Sequence, residues 1–148
     1  MKIDTRLIKS KILSPGKKAQ KTAKWARIMT KWLITYSHNK GAKWQLIEFG
    51  GPTGSESAGI IDILAIRKNH TMNNKIFKRG DLFEIVLIQT KGGNALKPTD
   101  LDKKRLNQVG KYYHAQHIIL AEWVKGNKLN IYKLSKNNWI HVHPHEIF

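Results

Sequence analysis

Apolar residues recur along this chain in two rhythms, one helical and one extended. Over residues 15–37, Trp25, Met29, Trp32, Leu33 and Tyr36 share one side at helical spacing, and Lys17, Lys21, Lys24, Arg27 and Lys31 gather on the other. Ser14 stands where it can cap this helix, with Pro15 at the first helical position. The aromatic side is expected to anchor the helix in the core. Residues 44–49 predict a short strand, closed by Gly50-Gly51-Pro52-Thr53-Gly54. Residues 59–67 form a nearly unbroken apolar run, as expected of a strand covered on both faces. A polar connection over 69–80 carries Lys75, Lys78 and Arg79 and leads to a β-rich run over 81–91.

After Gly92-Gly93 the rhythm becomes helical again. Thr99 caps this second helix, Asp102 completes a capping box, and Leu106, Val109 and Tyr113 supply its buried side. Residues 117–124 and 129–134 read as two strands joined by the turn 125–128, and 139–142 as a short edge strand. The order helix, three strands, helix, two or more strands predicts a layered α/β domain, with helices flanking a central mixed sheet. One domain is expected over 1–148, with 1–15 a basic lead-in and 139–148 an edge strand or tail.

Charge changes this picture from generic to specific. The chain holds 27 Lys and Arg against 10 Asp and Glu, a formal charge of +17. Such an excess repels itself, and a polyanion relieves the repulsion. Nucleic acid is the expected partner, bound tightly at low salt and weakly at high salt. With no cysteine, disulfides, thiol catalysis and cysteine-ligated zinc are excluded. The opening residues have no apolar core of a secretory signal, and no run approaches the roughly 18 apolar residues of a membrane helix. A soluble, cytoplasmic protein without a membrane partner is expected.

In each of two apolar runs, polar side chains are out of place. Asp62 is flanked by Ile60, Ile61, Ile63 and Leu64, and Gln89 and Lys91 close the run over 81–91, two residues apart and therefore on one side of their strand. A buried charge needs a partner, so either these groups hold an ion or Asp62 and Lys91 pair with each other. Asp62 and Gln89 would suit Mg²⁺ or Mn²⁺, hard ions satisfied by few protein oxygens, with the Thr90 carbonyl as a further ligand. Lys91 would then neutralise charge on a phosphate or orient a water.

The run SAGIIDILAI, followed by LIQTKGG and a helix, resembles the PD-(D/E)XK (restriction-endonuclease-like) nuclease superfamily. The resemblance implies an α-β-β-β-α-β core, with Asp62 as the metal-binding aspartate, Gln89 at the second acidic position and Lys91 as the catalytic lysine. Gln89 is similar to the D…QXK variant of Mrr-like enzymes, and Ile61 replaces the frequent proline. Gly16-Lys17-Lys18-Ala19-Gln20 resembles the first-helix pattern of those relatives, with Gln20 where glutamate is usual. Gln108 with Tyr112 or Tyr113 matches a supporting pair in the helix after the lysine.

With amides at Gln20 and Gln89, a further carboxylate is wanted at the metal, and Glu56 or Glu48 would supply it. Glu84 falls on the other side of its strand and reads as structural. The alternating His141, His143 and His145 would need ligands from elsewhere to bind zinc. Lys103, Lys104 and Arg105, with the basic residues of the first helix, are expected to contact phosphates. The function expected is a metal-dependent endonuclease acting on double-stranded or structured DNA, possible as a homodimer. The alternatives are a non-catalytic DNA-binding module with a degenerate site, and a nuclease of branched DNA or RNA.

Overall fold

A computed structural model of the chain describes residues 15–49, 60–92, 97–124 and 128–148, with side chains in the first helix described from residue 22 onward. Helix α1 (Pro15–Ser37) precedes strands β1 (Gln45–Glu48), β2 (Ile63–Lys68) and β3 (Phe83–Gly92). Helix α2 (Asp100–Tyr112), strands β4 (His117–Val124), β5 (Lys128–Ser135) and β6 (Asn138–His141), and a closing 3₁₀ turn (Pro144–Glu146) follow. The expected cap at Ser14 lies outside the described residues.

The strands form one sheet in chain order, β1 to β6, antiparallel at every step except β3 to β4, which is parallel. A parallel step cannot be closed by a hairpin, and the crossover between β3 and β4 contains α2. The domain is therefore a small α/β unit with two helices flanking a six-stranded mixed sheet. Thr99 caps α2 as its sequence predicts: its side chain accepts from the Asp102 N–H at 3.2 Å, and the Asp102 carboxylate accepts from the Thr99 N–H at 3.0 Å.

One face of the sheet, with Ile63, Ala65, Val86, Ile88, Ile119, Ala121 and Ile131, packs with Ile34 of α1 and the terminal Ile147 and Phe148. Helix α2 lies on the other face, where Gly110 approaches Ile118 so closely that a Cβ would sit 2.6 Å from its Cδ1. Its Leu106 is fully buried, but Tyr113, expected on the buried side, is the C-cap and 55 % exposed.

The largest correction concerns α1. Its buried side is Ala26, Thr30, Ile34 and Ser37, not the aromatic stripe. Trp25, Trp32 and Tyr36 are 46 %, 53 % and 70 % exposed, while Met29 and Leu33 are half-buried. Close approach decides this. A Cβ at Gly92 would lie 2.8 Å from the backbone of Thr22, so the helix rides directly on β3 and only small or slender side chains fit beneath it. The buried Thr30 hydroxyl is satisfied within the helix, donating to the Ala26 carbonyl at 2.6 Å.

Candidate functional site

Chain direction brings the chemistry to one end of the sheet. The carboxyl ends of β1, β3 and β4 and the amino end of β2 meet there, beside the amino end of α2. In open α/β sheets, ligands bind outside the carboxyl ends of parallel strands.

Asp62 does not lie within its strand, as the apolar run suggests, but immediately before it. The β2–β3 register ends at Ile63 opposite Ile88, and Asp62 departs from it: its N–H donates to the Ile88 carbonyl at 3.0 Å, and its carbonyl accepts from the Phe49 N–H at 2.9 Å. A regular ladder would offer the Thr90 N–H a backbone carbonyl. The Asp62 carboxylate takes that place, with Oδ2 accepting from the Thr90 N–H at 2.8 Å and from Thr90 Oγ1 at 3.2 Å. Burial pushes the Asp62 carboxyl above the usual carboxylate range. The Thr90 hydrogen bonds and the Arg27 charge pull it back down, and the Glu48 charge adds to the rise.

Glu48, at the end of β1, pairs with Ile63 in the ladder and so stands one strand from Asp62. Two cations of α1 reach it, Lys31 Nζ at 2.7 Å from Oε2 and Arg27 Nη1 at 4.0 Å from Oε1. These two members of the predicted phosphate-facing row are thus engaged with a carboxylate. Lys24 remains exposed, and the Lys17, Gln20 and Lys21 side chains lie outside the described set.

Thr90, rather than Gln89 or Lys91, is the β3 residue that hydrogen-bonds the Asp62 carboxylate, because strand alternation turns residues 89 and 91 to the α2 face. Burial lowers Lys91, opposed by the nearby charges of Asp102 and Glu122; Glu122 is its partner across the β3–β4 ladder. The Asp62–Lys91 ion pair considered from sequence is not formed among the described residues, whose ion pairs are Arg27–Glu48, Lys31–Glu48, Arg67–Glu84 and Lys103–Asp100. Gln89 sits opposite Leu120 of β4, and its Oε1 is buried with no hydrogen-bond partner.

Other expected residues fall as follows. Glu56 lies outside the described residues. Glu84 is held by the Arg67 guanidinium, which also stacks over the Trp44 ring at 4.1 Å. Lys104, Arg105, Gln108 and Tyr112 are all exposed on α2, so Gln108 and Tyr112 do not line the Asp62 end from within the core. Among the described residues, no three His, Asp or Glu side chains converge as a metal-holding group. His143 caps the 3₁₀ turn, and His145 Nδ1 lies 2.9 Å from the Ser37 carbonyl.

Sequence reasoning passed over Glu122 and the Thr90 side chain. Glu122 carried the same signal as Asp62, a lone charge inside an apolar strand run. The Thr90 contact depends on the slip of the ladder at Asp62, which no spacing encodes.

Asp62, on the Thr90 side of the sheet, and Glu48, one strand away, are carboxylates of the kind a hard divalent cation takes, whereas the Gln89 amide oxygen, buried without a partner, is turned to the opposite face and does not join them. No helix of the described residues is long and apolar enough to cross a membrane. No protein-family model matches the chain, and no curated protein is significantly similar to it.

Proposed function

We propose that the Asp62 end of the sheet is a metal-dependent site for hydrolysing phosphodiester bonds in DNA. One observation carries the reading: a carboxylate is kept against its own desolvation where the strands part, although the fold needs only a hydrogen-bond acceptor for Thr90. Mg²⁺ or Mn²⁺, when bound, supplies Lewis-acid polarisation of the phosphate and a more acidic water. Asp62 would hold it, joined by Glu48 once Lys31 and Arg27 turn to substrate phosphates, and by Glu56. Lys91, lowered by burial, would stand at the neighbouring edge to neutralise charge gathering on the phosphorus centre and exchange a proton. The exposed Lys24, Lys104 and Arg105 would hold the backbone, alongside the net charge of +17.

The test is cleavage of plasmid, linear duplex, branched DNA and RNA with Mg²⁺ or Mn²⁺, comparing wild type with Asp62→Asn and Lys91→Met. Metal-dependent cleavage lost in both variants supports the reading; activity indifferent to both overturns it. A second reading, a DNA-binding module without catalysis, is favoured by the capture of Glu48 by Lys31 and Arg27. It expects metal-independent, salt-sensitive binding that survives Asp62→Asn and no cleavage of any substrate.

A further inference from the structure

The aromatic stripe that α1 withholds from the core stays largely exposed among the described residues. Trp25, Trp32 and Tyr36 are each about half exposed or more, and the Trp32 and Tyr36 rings lie 4.5 Å apart at a 41° tilt. A helix face of this kind ordinarily anchors a core. Here the small residues Ala26, Thr30 and Ser37 occupy the sheet side together with Ile34, and among the described residues the rings keep about half of their surface or more in contact with water.

Charge selects the occupant. Residues 15–37 contain six Lys or Arg and no Asp or Glu, and the exposed Lys24 borders the stripe on the lysine side of the helix. A second copy would set six cations against six, so self-association is opposed. A duplex offers phosphates but keeps its base faces stacked internally. Unpaired nucleotides offer both phosphates for the lysines and π-faces for the rings.

We propose that the Trp25–Trp32–Tyr36 stripe of α1 binds a single-stranded nucleic-acid segment by base stacking, with the helix lysines holding its phosphates. At about 1.5 Å per helical residue the stripe runs roughly 16 Å. At about 3.4 Å per stacked nucleotide, that length accommodates about five nucleotides. The stripe lies on the flank of α1 away from Arg27 and Lys31, which reach Glu48. A substrate holding both paired and unpaired segments can therefore engage the stripe and the Asp62 end together. The proposal rests on the nucleic-acid part of the function given above and not on its hydrolytic part.

The experiment measures binding of labelled dT12, dT5, dT3 and a 12-base-pair duplex by fluorescence anisotropy in EDTA, so that cleavage does not enter. The full chain is compared with Trp25→Ala/Trp32→Ala and with Trp25→Phe/Trp32→Phe. The alanine pair is expected to weaken dT12 binding by at least about tenfold, with duplex affinity within about twofold, because stacking is lost while phosphate contacts remain. The phenylalanine pair should retain most of the dT12 affinity, and dT5 should bind clearly better than dT3. Equal losses on dT12 and duplex, or unchanged dT12 binding, overturn the proposal while leaving nucleic-acid binding intact. No binding to any probe overturns both this proposal and the nucleic-acid reading beneath it. A fall in melting temperature, or loss of a concentration-dependent dimer in sedimentation, in the alanine pair alone would show that the stripe is covered by the chain itself or by a second copy, and this too overturns it.

Discussion

Replacing Asp62 by Asn and by Ala separates the charge of this residue from its hydrogen bonding. In the fold, Oδ2 serves the Thr90 N–H and Oγ1 at 2.8 and 3.2 Å. An Asn Oδ1 can accept from both donors, whereas Ala leaves them without an acceptor. An unsatisfied buried polar group costs about 1–3 kcal/mol, and Thr90 is half-buried, so about 2 kcal/mol for the pair is reasonable. For a domain of this size, that is a fall of about 4–8 °C in melting temperature for Asp62→Ala.

Asn loses no hydrogen bond and removes a charge whose burial is unfavourable. The sign follows from linkage. The folded-state pKa lies above the unfolded value of 3.8, so the folded protein binds more protons in the window between the two. Stability is therefore lost as pH rises through that window. Asp62→Asn should match wild type below the window and equal or exceed it at neutral pH. Thermal unfolding followed by circular dichroism from about pH 4 to about pH 8 measures both effects. If Asn is as damaging as Ala at neutral pH, the fold uses the negative charge itself, with Arg27 as the nearest candidate partner, and the argument for a functional carboxylate is refuted.

Three further perturbations follow from the same geometry. Gly92→Ala drives a Cβ to within 2.8 Å of the Thr22 backbone, so α1 must move, and a loss of about 1–3 kcal/mol is expected in urea unfolding; a neutral result would mean that α1 does not cross β3 there. Lys91→Met removes an ammonium lowered by burial, so it should leave stability unchanged or raised at neutral pH, while abolishing any metal-dependent cleavage. His117 is lowered by burial and by the Lys133 charge, against the pull of Glu84, so below its ordinary value of 6.5 the unfolded chain takes up more protons than the folded one. Stability should fall as pH drops through that range, and His117→Gln should flatten the curve in calorimetric melts; an unchanged slope would place the acid sensitivity elsewhere.

Much of the scaffold was legible in the residues because local rules decide it. Thr99 and Asp102 announce the start of α2 by their spacing, and the apolar, β-rich runs 81–91 and 117–124 become strands β3 and β4. The two oddities of the apolar runs, Asp62 and Lys91, both fall at one end of the sheet. What the residues could not convey is which face of an amphipathic helix the sheet accepts. Periodicity assigns the large aromatics of α1 to the core, yet the approach of Thr22 to Gly92 leaves room only for Ala26, Thr30, Ile34 and Ser37. Likewise, spacing sets Asp62 in a strand with Gln89 and Lys91 as neighbours, and a one-residue departure from the ladder gives it Thr90 instead. Helix facing and strand register are settled by steric fit between segments far apart in the chain. The sequence by itself determined the elements and their order; only the tertiary structure decided which side chains meet, and which face of α1 packs on the sheet.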